Sequence, residues 1–547
     1  MDIEDAKSER SKNRQNVVQT KRLDLDTILV NEIGQFGLYQ IRSLLLALSI
    51  IVFNAWVANE YIFTTARIDT RCLIPECEIK DETTFAPAWI SNAIPWNAAD
   101  FDGCERYLGV SNITIPDPTC PVELFDQDTT VGCEARVYEN THTIFDLGCE
   151  EWLRSLVGTI STCGTLIALP ASGYISDHWG RRTAMVISAF NAAWVGLTRQ
   201  FANSYAVFVF LEFLELALGA AGFLSAYILV IELVGPTYRV MAGTILNTFF
   251  ALGQVFLGLI AWGVPNWRNL TLALYIPQLI TLLYIRIMAE SVRWYMSKGR
   301  FEDSERVLKE VAKVNKTHLS EESLATLRQS AEEGRLKELQ ERGIKKPWLP
   351  VLVFRNKTVL LRCMVTPICW VATTFIYYGM SINSVSLTGN RFLNYIAVAA
   401  IEIPGFWTSF ILISFIGRKP VLIISFWICA ICQIAYIFIS NELYCLSLAV
   451  YLIGKYSIAM VMTAIYVYTS ELYPTEYRHS LVAFSSVVGR IGAILAPLTP
   501  ALVCMSGRIM AWFAAISGSL IIILPETLGS KLPDTMEEAA EIGRKKR

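Results

Sequence analysis

Twelve apolar stretches divide the chain. They cover residues 43–65, 153–176, 183–201, 205–234, 240–263, 267–289, 359–381, 392–416, 420–440, 444–471, 480–504 and 508–524. A helix of about 20 apolar residues spans the hydrocarbon core of a bilayer. The pattern therefore predicts an all-α membrane protein with twelve transmembrane helices. The fourth stretch is longer than a bilayer requires and is expected to tilt or protrude. The first 42 residues are polar and hold no cleavable signal, so the first helix is expected to act as its own signal anchor.

Basic residues orient the pattern. With the N-terminus in the cytosol, 33 of the 47 Lys and Arg fall on the cytosolic side, and the other 14 lie outside or within the stretches. An even number of crossings puts both termini in the cytosol, and the expected location is the plasma membrane. The expected organisation starts with a cytosolic N-terminal segment (1–42), the first helix (43–65) and an extracellular domain (66–150). The rest of an N-terminal six-helix bundle (151–289) and a cytosolic linker (290–358) follow. A C-terminal six-helix bundle (359–524) and a cytosolic tail (525–547) complete it.

The segment 66–150 holds Cys72, Cys77, Cys104, Cys120, Cys133 and Cys149. Six cysteines in an extracellular segment suggest three disulfides, among 15 pairings that sequence leaves open. Asn112-Ile-Thr is its one glycosylation sequon. It carries 16 acidic residues against 5 basic, enough to enrich cations at the mouth over a Debye length of about 8 Å. A weak oligomer through this domain is a further expectation. In the linker, mixed charges at helical spacing over 301–314 and 321–343 predict short amphipathic helices beneath the membrane domain.

Composition narrows the class. Apolar residues make up 53% of the 547 and charged residues 18%, too little charge to cover several soluble domains. Net charge is −2, which leaves no electrostatic footprint for nucleic acid. Four histidines, His142, His178, His318 and His479, lie in loops, and no HExxH, P-loop or nucleophile elbow is present. The expectation is a non-enzyme without cofactor or metal, whose partners are the lipid bilayer and a small solute.

The chain repeats itself. Gly180-Arg181-Arg182 returns as Gly417-Arg418-Lys419. Glu232-Leu-Val-Gly-Pro-Thr-Tyr-Arg239 returns as Glu471-Leu-Tyr-Pro-Thr-Glu-Tyr-Arg478, and Ala289-Glu290-Ser291 as Pro525-Glu526-Thr527. Three motifs at one offset, near 237 residues, indicate two six-helix halves. Duplicated halves with a site between them near the bilayer midplane are transporter architecture.

Gly173-Tyr-Ile-Ser-Asp177-His-Trp-Gly180-Arg181-Arg182 resembles the loop signature of the major facilitator superfamily. Further motifs resemble its organic-ion branch, the organic cation, organic anion and carnitine/zwitterion transporters, insect organic cation transporter proteins among them. They are the cysteine-rich first loop, Phe145-Asp-Leu-Gly-Cys149, Glu290-Ser-Val-Arg293-Trp, Glu402-Ile-Pro-Gly405, Gly454-Lys455-Tyr456 and Glu471-Leu-Tyr-Pro-Thr475. The resemblance covers the chain after residue 30 and implies the major facilitator fold. In the second copy of the loop motif, Phe410 and Ser414 replace Gly and Asp.

Gly173 and Gly180 permit close backbone approach, and Asp177, Arg181 and Arg182 can pair with Glu232 or Glu471. With Arg239, Glu290, Arg293, Arg418 and Arg478 they form a candidate cytosolic latch between the halves, favouring an outward-open state. Static anchoring at the membrane edge is the alternative. Charges within the stretches are costly and point to function. Glu212, Glu215, Glu402, Lys455 and Arg490 lie deep, whereas Arg154, Arg286 and Arg362 sit near ends and are expected to snorkel. Glu212 departs from the superfamily, which has a basic residue there.

The resemblance assigns Arg490 to the position that carries arginine in anion and carnitine/zwitterion members and an acid in cation members. Glu402 matches the cation and zwitterion branches. Trp370 and Tyr377, seven apart on one helix face, match cavity aromatics, as does Phe223; Asn247 falls where the family has an amide, Thr463 and Tyr466 align with cavity positions of the tenth stretch, and Tyr378 is a weaker candidate. An acid and a base together suit a substrate with both charges, or Glu402 simply neutralises Arg490 or Lys455. The implied function is polyspecific transport of small organic cations or zwitterions by alternating access. The alternatives are an organic anion transporter of the same fold, a sugar porter and a non-transporting ligand sensor. Phe406 weighs against the anion reading, since anion members carry lysine nearby. Pro404, two residues after Glu402, could aim that carboxylate.

Overall fold

The computed structural model describes residues 25–78, 83–97, 100–110, 116–139, 147–341, 349–440, 442–475, 477–502, 505–529, 533 and 536–542. Among them, eleven helices are long and apolar enough to cross a membrane. In chain order these are spans one, two, four, five and six (Leu38–Thr64, Glu151–Trp179, Tyr205–Leu233, Pro236–Gly263, Trp267–Ile287). Spans seven to twelve follow (Lys357–Ser386, Arg391–Ile416, Arg418–Phe438, Tyr444–Leu472, Arg478–Leu498, Ser506–Ile523). The expected third crossing is the helix Arg181–Arg199, too polar to meet that standard. It packs on spans two, four and six, so protein rather than lipid covers much of its surface.

Local chemistry sets the ends. Asn266, Asn356 and Asn390 cap spans six, seven and eight, each side-chain oxygen accepting from two backbone N–H groups. The long fourth span breaks at Ala220–Ala221 instead of running on as one helix. Span eight breaks at Ile401, so Glu402 opens the second half-helix with Pro404 in its first turn. Gly164 lets spans two and four meet, since a Cβ there would lie 2.6 Å from the Phe213 carbonyl oxygen.

The extracellular loop closes on the disulfides Cys72–Cys133, Cys77–Cys120 and Cys104–Cys149. Three small antiparallel ribbons lie around them, pairing residues 70–72 with 136–138, 96–97 with 100–101 and 105–109 with 125–132. Arg71, fully buried, chelates Glu78 and donates to the carbonyls of Cys72, Thr84 and Phe85. The sequon Asn112 lies outside the described residues.

The repeat holds at the level of single hydrogen bonds. Glu290 accepts from the backbone N–H of Arg182 at 3.0 Å, and Glu526 from those of Arg418 and Lys419 at 3.1 and 3.0 Å. Arg181 reaches Glu232 at 3.5 Å, and Arg418 reaches Glu471 at 2.9 Å. Ser291 donates to Glu232 as Thr527 donates to Glu471. Glu290 and Glu526 thus satisfy orphan N–H groups at a helix start, where the dipole also favours a carboxylate.

These pairs therefore close within each half, not between halves, in the arrangement described. Asp177 is exposed and pairs only with Arg181 of its own half among the described residues, at 2.7 Å. Arg239 and Arg293 converge on Asp26 of the N-terminal segment, whereas Arg478 donates to Thr475. Gly173 faces open space, so the close approach expected of it is not made here. Arg362 does not snorkel: it is 1% exposed and donates to the carbonyls of Leu472, Ala539 and Ile542, pinning the tail to span seven.

Gly180 stands at φ +108°, with Glu290 where a Cβ would go. Gly180→Ala is expected to cost about 1–3 kcal/mol through backbone strain alone. A thermal melt of purified protein checks it against Gly263→Ala, where nothing lies within 4 Å. Equal melting temperatures for the two variants would refute the strain.

Beneath the inner face, helices Val292–Ser297, Phe301–Asn315 and Glu321–Glu341 follow the expected linker pattern. They pack on residues 25–40: Asn315 accepts from the Tyr39 N–H at 2.9 Å, and Glu32 accepts from the Ser320 N–H at 3.0 Å and from the Ser323 hydroxyl.

Candidate functional site

The halves meet in the outer part of the membrane domain. A Cβ on Gly158 of span two would lie 2.8 Å from Pro497 of span eleven, and one on Gly258 of span five 2.7 Å from Ile396 of span eight. Phe63 stacks on Phe392 and meets Tyr395 edge-on. Just inside this seal lies a polar knot. Lys455 is 2.8 Å from Glu402, and both are fully buried. Its ammonium also donates to the Tyr377 carbonyl and the Ser381 hydroxyl, and rests 3.8 Å from the Tyr377 ring centre. The other Glu402 oxygen accepts from the Tyr377 hydroxyl and, across the interface, from Gln254 at 3.2 Å.

Glu402 is thus neutralised by Lys455, not by Arg490. With Lys455, Tyr377 and Gln254 all held to it, Glu402 sits fully buried beside the closed outer seal. The break at Ile401 and Pro404 aims it inward at this knot.

An aromatic group stands on both sides of the cleft. Trp370, 1% exposed, donates to Thr469 at 3.1 Å and meets Tyr466 edge-on at 4.5 Å. Tyr466 lies within electrostatic reach of Arg490 and Tyr378 in its own half and of Tyr227 in the other. It is nonetheless 44% exposed. Tyr466 and Arg490, with Tyr227 opposite, are the candidate lining of a cleft between the halves. Phe223 stacks on Tyr227 and meets Phe250 edge-on, forming the facing wall. Asn247 is half-buried, and Thr463 carries a buried hydroxyl without a hydrogen bond among the described residues. Arg490 is half-buried, and among the described residues no carboxylate lies within ion-pair distance of it.

A cavity of about 770 Å³ lies elsewhere, at the outer end between Tyr61, Arg154, Asn383 and Arg391. It is a vestibule above the seal, and none of Trp370, Tyr466 or Arg490 lines it. Two buried charges went unnoticed in the sequence. Arg199 and Glu60, near the outer ends of their helices, are fully buried and join Glu212 and Glu215. Position at the edge of an apolar stretch hid them.

A family model described as Major Facilitator Superfamily matches residues 151–497. The chain belongs to this superfamily. Within it, the protein is a member of solute carrier family 22. It is 31% identical over 415 residues to solute carrier family 22 member 16 of Xenopus laevis, covering 73% of this chain and 71% of that one. It is 28% identical to the organic cation transporter protein of Drosophila melanogaster, over 94% of this chain and 95% of the other. The fold matches a partially occluded, inward-open xylose transporter from E. coli, with TM-score 0.61 and 16% identity over 90% of this chain and all of that one. As a solute carrier the protein is a multi-pass membrane protein, and its relatives are transporters rather than enzymes.

Proposed function

We propose that the protein carries small organic cations and zwitterions across the plasma membrane by alternating access, with both termini in the cytosol, and favours substrates that bear a carboxylate beside an ammonium. The observation that carries this reading is the Arg490 guanidinium, which has no carboxylate within ion-pair distance among the described residues and lies near the Tyr466 ring, with Tyr227 of the other half also near that ring. A guanidinium can hold a carboxylate bidentately, and rings such as Tyr466, Tyr227 and Phe223 attract an ammonium and a flat apolar body with little geometric demand. Trp370 buttresses Tyr466, with Asn247 and Thr463 supplying polar contacts. In this reading the cleft faces inward, and rocking of the halves breaks the Phe63–Phe392 seal while the inner motifs meet as a latch.

The anion reading needs surplus positive charge in the cleft. Lys455 was its second cation, and Glu402 consumes it, leaving Arg490 alone. Uptake into proteoliposomes of tetraethylammonium, a betaine and an aromatic carboxylate separates the readings. Uptake of the first two, with the betaine preferred, is expected. Uptake of the aromatic carboxylate alone would overturn the proposal, and binding without flux would identify a sensor. Tyr466→Ala is expected to lower the apparent affinity for both accepted probes by about tenfold, the worth of a desolvated cation–π contact of about 2 kcal/mol less partial compensation. An unchanged KM would remove Tyr466 from the site.

A further inference from the structure

Helix Leu349–Arg355 leads from the linker into span seven, and its two faces differ. Leu349, Leu352 and Val353 pack on Val359 of span seven, on Tyr473 and Leu481, and on Met536 of the tail helix Met536–Glu541. Their spacing of three and four places them on one side. Val351, Phe354 and Arg355 repeat that spacing on the other side, and all three are exposed. Val351 is 56% exposed and Phe354 71%.

Water does not select such a face. The linker helix Phe301–Asn315 exposes Glu302, Arg306, Lys309, Glu310 and Lys313, as a helix in water should. Val351 and Phe354 instead lead into the lipid-facing side of span seven. Leu361, Met364 and Ile368 stand there at helical spacing, exposed, on a helix long and apolar enough to cross the membrane. Lys357 lies four residues before Leu361, at the head of the same stripe.

Two cations thus flank an apolar strip where span seven enters the membrane. Arg355 and Lys357 are both exposed, and among the described residues neither has a carboxylate within ion-pair distance. The exposed carboxylates of the tail helix, Glu537, Glu538 and Glu541, reach neither of them. The first N–H groups of span seven are already taken, since Asn356 accepts from Thr358 and Val359. An anion here is therefore met by the two side chains and not by the helix start.

We propose that an anionic glycerophospholipid docks on this surface. Arg355 and Lys357 hold its phosphate, with their aliphatic stems along the apolar strip. Val351 and Phe354 enter the edge of the acyl layer, and an acyl chain follows Leu361, Met364 and Ile368. A zwitterionic lipid offers the same chains, so the apolar contacts do not discriminate. Its choline offsets the phosphate charge, and two unpaired cations favour the lipid that keeps a net negative charge. The lipid fastens the inner end of span seven, the helix of Trp370 and Tyr377, to the membrane surface. The cytosolic leaflet follows from the orientation proposed above, whereas docking itself does not depend on it.

Full-length protein in symmetric vesicles of equimolar phosphatidylcholine and phosphatidylserine tests the docking. A trace of either lipid carries a photoreactive diazirine on its acyl chain, and peptide mapping after irradiation reads the labelling of residues 349–368. The phosphatidylserine probe is expected to label this segment about 5- to 30-fold more than the phosphatidylcholine probe, about fivefold for each cation engaged. R355Q combined with K357Q is expected to bring the ratio near one, with labelling by the phosphatidylcholine probe unchanged. R355K combined with K357R keeps both charges and is expected to keep the preference. A wild-type ratio near one would overturn the proposal, as would a preference that survives R355Q with K357Q. Labelling by neither probe would mean that Val351 and Phe354 meet water or protein, and would overturn it too. A preference abolished by millimolar inorganic phosphate would identify a site for free anions in place of the lipid.

Discussion

Arg490→Asp is expected to invert the substrate preference. Losing a charge-assisted bidentate contact costs about 1.5–3 kcal/mol, about 10- to 100-fold, for a substrate bearing a carboxylate. The new aspartate adds repulsion for that carboxylate and attraction for an ammonium. The ratio of kcat/KM for betaine to that for tetraethylammonium should fall by at least that factor, with tetraethylammonium uptake kept or raised. An equal loss for both probes would mean that Arg490 supports the fold and reads no substrate. The half-buried position of Arg490 and its lack of a carboxylate partner among the described residues lead us to expect the selective outcome.

Lys455→Ala should do more damage. It removes the counter-charge of Glu402 in a fully buried pair, and stranding one member of such a pair costs about 3–5 kcal/mol. The same change cuts the links to Tyr377 and Ser381, which hold span seven against span ten. We expect loss of the monodisperse peak in size-exclusion chromatography, or a large fall in melting temperature. The double variant Glu402→Gln with Lys455→Met should recover most of the loss, because it removes both charges together. A single Lys455→Ala protein that melts like the wild type would show that Glu402 does not depend on this ammonium.

Much of this arrangement was readable along the chain. Hydropathy located the spans, and the third fell short for a physical reason: a helix sheathed by protein needs less apolar surface than one sheathed by lipid. Gly180, Glu232 and Glu290 and their echoes at Gly417, Glu471 and Glu526 were visible as spacing, and the structure turned that spacing into matching hydrogen bonds. The six loop cysteines announced three disulfides without their pairing, because pairing depends on which backbone segments meet.

Partnership was the part hidden from one dimension. Glu402 had two candidate cations, and only the packing of span eight against span ten selects Lys455 and leaves Arg490 without a carboxylate among the described residues. Arg199 sits at the edge of an apolar stretch, and only the closing of the helices around it gathers three carboxylates upon it. Hydrophobic period and motif spacing are local properties, so the linear order of residues settles the helices, the duplication and the chemical inventory of this carrier. Which charge neutralises which depends on distances of a few ångströms between helices far apart in sequence, and packing alone sets those.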